Sequence, residues 1–88
     1  MAQSNDMTVA TILDLVTKGK MVALASGMQE DKSNVVEADR LAFGACGYLN
    51  AATVLINAYP ELNGMLENPE FLSLKLWVQG RRRFGCAA

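Results

Sequence analysis

The chain has 88 residues, 51% of them hydrophobic and 19% charged, with a formal net charge of -1. One globular domain fits that balance; a disordered chain and a broadly basic nucleic-acid binder do not. The absence of histidine removes the commonest general base and the commonest transition-metal ligand.

Two cysteines, Cys46 and Cys86, make neither a C-x-x-C pair nor a metal set of useful spacing with carboxylates. Cys46 reads as a small buried hydrophobe and Cys86 as a free thiol on a loose tail, a pattern that suits a reducing compartment. The N-terminal hexapeptide is polar and lacks positive charge, unlike a secretory signal, so a cytoplasmic setting is expected. A core this small is marginal alone. Without a disulfide framework or a metal, oligomerisation is the remaining way to bury more surface.

Residues 1–6 read as a disordered lead. Thr8 is the expected N-cap of the first helix, with Met7 stapled on Ile12. Val9, Ile12, Leu13, Val16, Ala23 and Leu24 recur at helical spacing, and Asp14 and Lys18 form an i,i+4 pair. Gly19 marks a kink or a break, and Gly27 the C-terminal cap. Residues 28–33 are a polar connection. Asn34 and Glu37 resemble a capping box, and the second helix runs to about Tyr59 because Pro60 cannot continue it. Residues 61–67 offer one or two further turns. Asn68, Pro69 and Glu70 open a third helix ending at about Gln79.

The expectation is a single all-α domain over 1–88. It is a three-helix bundle, or a helical hairpin plus a C-terminal helix, with a short fourth turn at 61–67 and a loose basic tail at 81–88. One pattern opposes it. Leu72, Leu74, Leu76 and Val78 alternate with polar residues and Trp77, which is strand periodicity. The alternative is therefore an α+β fold with short strands near 20–26 and 72–78. Leucine content and the helical start signal favour helix.

From Leu41 to Pro60 no charged residue occurs. Ala38, Leu41, Ala42, Ala45, Leu49, Ala52, Leu55, Ile56 and Tyr59 form one apolar face. Phe43, Cys46, Asn50, Thr53 and Asn57 form a second face that is uncharged and only weakly polar. A helix side in water normally carries charge, so both sides are expected to be covered. Helix 3 has a similar surplus: Phe71, Leu74, Trp77 and Val78 on one face, Leu72 and Leu76 nearly opposite. Leftover apolar surface of this kind marks an interaction site. Phe43, Gly47, Asn50, Val54, Asn57, Leu72, Leu76 and Trp77 are the expected partner or dimer interface. Gly44, Gly47 and Ala51 permit close helix approach, and Asn50 and Asn57, one heptad apart, suit pairing across a symmetry axis.

No phosphate loop, nucleophile elbow or zinc-protease motif is present, and Cys46 has no base beside it. The sequence predicts a non-catalytic protein without a cofactor or metal. It would bind another protein as regulator, adaptor or inhibitor in the cytoplasm, and form a homodimer. Two alternatives stand beside it. One is a nucleic-acid-associated regulator contacting a polyanion through Arg81, Arg82 and Arg83. The other is a small membrane protein using 41–59, disfavoured by Asn50, Asn57 and the many small residues.

Overall fold

In the computed structural model, the backbone is described for residues 2–80 and the side-chain surroundings for 7–80. The protein is a small all-α bundle, and no strand occurs among the described residues. Its helices are α1 (Ala2–Asp31), α2 (Val35–Ala58), a 3-10 helix (Pro60–Glu67) and α3 (Pro69–Gln79). The α+β alternative is therefore set aside: 20–26 lies inside α1 and 72–78 inside α3. A long α1–α2 hairpin, 48 Å in its greatest extent, carries α3 packed against both of its arms.

Helix α1 departs most from expectation. It begins at Ala2, so helical backbone replaces most of the expected lead, and Thr8 is an interior residue rather than a cap. Met7 is largely exposed while Ile12 is fully buried, so the expected staple does not form. Gly19 does not end the helix, and Gly27 also lies inside it. The Asp14–Lys18 pair forms on the surface at 3.0 Å.

The end of α1 is set by Ser33. Its φ of 61° places it in the left-handed region. Ser33 N–H donates to the Glu30 carbonyl and Asn34 N–H to the Gln29 carbonyl, each at 2.9 Å. These two bonds are a Schellman cap, built on serine where glycine is usual.

Asn34 then precedes α2 as expected, but its side chain caps nothing. Its amide instead donates to Gln29 Oε1 at 3.1 Å. Glu37 does not close a capping box; it accepts two bonds from the Arg40 guanidinium, and that fork holds its carboxyl below the usual carboxylate range. Beyond Pro60 the chain turns as a 3-10 helix. Asn68 caps α3 as read from the sequence, its Oδ1 accepting from Glu70 N–H at 2.9 Å and Phe71 N–H at 3.2 Å.

The core lies along the hairpin seam. Ile12 and Val16 of α1 meet Ala45, Leu49, Ala52 and Ile56 of α2, and Phe71, Leu74 and Val78 of α3 close the third side. Alanine at 38, 42, 45 and 52, all buried, keeps α2 close to α1. Three side chains differ from the expected pattern on α1. Leu13 and Leu24 are exposed, and Ser26 is buried, with its hydroxyl donating to the Ala38 carbonyl at 2.7 Å. That bond satisfies the hydroxyl and ties the two arms near their turn.

Candidate functional site

At 100° per residue, the buried positions of α2 cluster on one side, and Val36, Arg40, Phe43, Gly47, Asn50, Val54 and Asn57 fall on the other. All of these are exposed. Phe43 is 55% and Val54 67% accessible. Among the described residues, α1 and α3 cover one side of α2, while the second, weakly polar face carries exposed Phe43, Asn50 and Asn57, the surplus that the sequence assigned to a partner. The corrected position on that second face is Cys46, which is buried and packs with the core.

Cys46 is also disulfide-bonded, not a plain buried thiol. A disulfide belongs to oxidising surroundings, which opposes the reducing compartment suggested by the cysteine pattern. Cys86, the expected free thiol, lies outside the described residues. Asn50 sits one turn from Cys46, with its amide nitrogen 3.7 Å from the Cys46 sulfur.

The other expected interface residues divide between two places. Leu72 and Leu76 point away from the buried face of α3, with Leu76 69% accessible. Trp77 is half-buried and lines a shallow cleft between α1 and α3, together with Lys20, Ala23, Leu24, Ser73 and Leu74. Lys20 bridges that cleft to Glu70. A further exposed apolar ridge, Met21, Leu24 and Met28, runs along α1 beside it. Sequence reasoning missed this ridge because Leu24 was assigned to the core; the three- and four-residue steps of 21, 24 and 28 were the available signal.

The four glycines of the hairpin arms differ in what surrounds them. A Cβ on Gly19 would meet Leu74 and Tyr48, and one on Gly44 would lie 3.3 Å from Val22. These serve packing within the chain. A Cβ on Gly47, like one on Gly27, would meet nothing within 4 Å among the described residues.

No protein-family model, curated protein or solved structure matches the chain.

Among the described residues, no group of three or more His, Cys, Asp or Glu is placed to hold a metal ion. The Arg81–Arg83 cluster lies outside the described residues. By length and composition α2 is apolar enough to cross a membrane, and 33% of that stretch is buried inside the bundle. Between Phe43 and Asn57, the outer side of α2 carries one aromatic, one β-branched and two amide side chains and no charged one. Such a strip suits burial against another apolar surface and provides no acid, base or nucleophile.

Proposed function

We propose that this chain is a non-catalytic protein-interaction protein, acting as regulator, adaptor or inhibitor of a larger protein through the outer face of α2. The observation that carries the reading is the open strip from Phe43 to Asn57. It has no charge on a helix side whose residues Phe43, Gly47, Asn50, Val54 and Asn57 are exposed. Leu72 and Leu76 of α3 add a second apolar element to the proposed surface. An apolar helix face laid into a partner's groove is a common mode of recognition.

The cytoplasmic setting is part of the proposal, and the state of Cys46 in cells tests it. A Cys46 that stays disulfide-bonded in vivo places the chain in an oxidising compartment instead.

Affinity capture from the native host tests the function. The tagged wild-type chain is compared with a Phe43→Glu/Val54→Glu variant and with Leu24→Glu as a surface control. Loss of a captured protein in the α2 variant alone supports the reading. Equal capture by all three chains moves the function away from this face.

A further inference from the structure

We infer that Cys86 is the disulfide partner of Cys46, and that this bond makes residues 81–88 a redox-released strap holding the Arg81–Arg83 cluster beside α2. The inference goes beyond the interaction reading above and does not depend on it.

Cysteine count limits the partner. Cys46 is disulfide-bonded, and the sequence holds one other cysteine, Cys86. The bond is therefore Cys46 to Cys86 of the same chain, or it joins two copies. Cys46 is 8% accessible and belongs to the core shared by α1, α2 and α3. Two such buried sulfurs reach bonding distance only by unpacking both cores. Cys86 has no such obstacle, and a tail on the same chain acts at roughly millimolar effective concentration, far above a second copy at micromolar concentration.

The reach is short. A Cβ on Gly19 would meet Leu74 of α3 and Tyr48 of α2 together, so α3 passes α2 within a turn of Cys46. From Leu74 to Gly80 the chain advances about 9 Å at 1.5 Å per residue. The stretch from Arg81 to Cys86 spans about 20 Å when extended. The disulfide itself bridges a further ~5.5 Å between Cα atoms, so the strap reaches Cys46 without moving α3. Both of its ends are then fixed. At one end Gly80 N–H donates to the Leu76 carbonyl at 3.1 Å; at the other, Cys86 is bonded to α2. Phe43 and Asn50 flank Cys46 along the helix, and neither is without a partner.

A dithiol opens the strap. Its two thiols give up two electrons and two protons and close to a disulfide; the Cys46–Cys86 bond breaks and each sulfur becomes a thiol. The three arginines are then held at the Gly80 end alone. Oxidising surroundings thus give a fixed basic patch beside α2, and reducing ones a basic tail tethered at one end.

Trypsin, which cuts after arginine, tests the strap on the purified full chain with intact mass spectrometry. Cut without reductant, the peptide beginning at Phe84 should stay attached and leave only when dithiothreitol is added. When the chain is reduced, mixed with an isotope-labelled copy and reoxidised, each Cys46–Cys86 linked pair should be wholly light or wholly heavy. Cutting at Arg81–Arg83 should be slower in the oxidised chain than in Cys86→Ser, with circular dichroism confirming that both are helical. The oxidised chain should also melt about 10 °C higher than the reduced one, as expected for closing a long loop. A Phe84 peptide lost without reductant overturns Cys86 as the partner. Mixed light–heavy pairs overturn the bond within one chain. Equal cutting of oxidised wild type and Cys86→Ser overturns the hold on the arginines. Retention of the peptide together with unchanged host capture by Phe43→Glu/Val54→Glu removes the interaction reading and leaves the strap standing.

Discussion

A Cβ on Gly19 would lie 2.6 Å from Leu74 Cδ2, so α3 docks against α1 at a position where α1 has no side chain. The sequence offers Gly19 as a kink or a break, yet α1 continues through it. Leu74 is buried, and Tyr48 Cβ would stand 3.1 Å from the added atom. Gly19→Ala should therefore lose stability, by about 1 kcal/mol once overpacking is set against the gain in helix propensity. Gly27→Ala, which meets nothing within 4 Å, should gain about 0.5–1 kcal/mol. Paired urea melts check both; stabilisation by Gly19→Ala would mean that α3 does not press on α1 there.

Ser33 holds a left-handed conformation that costs a residue with a side chain about 1–2 kcal/mol. Ser33→Gly removes that strain while keeping both cap hydrogen bonds. After allowance for the extra freedom of glycine in the unfolded chain, a gain of about 0.5–1 kcal/mol is expected. Thermal unfolding measures it. A loss would show that the Ser33 side chain supports the turn in some other way.

The two sides of α2 should respond oppositely to charge. Leu49→Asp or Ala45→Asp puts an unpaired carboxylate in the fully buried seam and should unfold the protein or nearly so. Val54→Asp lies on the open side and should leave a folded chain, changed by about 0.5 kcal/mol or less when monomeric. Circular dichroism at low concentration separates the cases. Unfolding by Val54→Asp would mean that the open face is covered within the chain.

Alkylation under native, non-reducing conditions should leave Cys46 unlabelled, and labelling should appear only after reduction and unfolding. Peptide mass mapping reads the site directly. A Cys46 labelled without reductant would return it to the plain thiol suggested by the sequence.

Local signals were legible where a single residue type dictates geometry. Pro60 ended α2, and Asn68 with Pro69 opened α3, because ring closure and side-chain capping act within a few residues. The buried face of α2 was legible from 3.6-residue periodicity at Ala38, Ala42, Ala45, Leu49, Ala52 and Ile56, while Cys46 proved buried and Tyr59 exposed. The errors arose where tertiary contact overrides local preference. Gly19 and Gly27 are helix breakers by propensity, but α1 continues through both along its long seam with α2. Ser33 ended α1 although nothing marks serine as a left-handed residue. Ser26 was invisible as a core position because its burial depends on the Ala38 carbonyl across the hairpin. Leu24 looked like core because its spacing fits, while the neighbouring helix supplies no cover there.

The central claim is that the open face of α2 is where another protein binds. Carbene footprinting tests it most directly, comparing the purified chain at nanomolar concentration with the complex isolated by capture. Labelling of Phe43 and Val54 should fall sharply in the complex, while Met21 and Leu24 on α1 keep their free-chain labelling. Unchanged labelling at Phe43 and Val54, with protection confined to the Met21–Leu24–Met28 ridge, would contradict the claim and assign binding to α1.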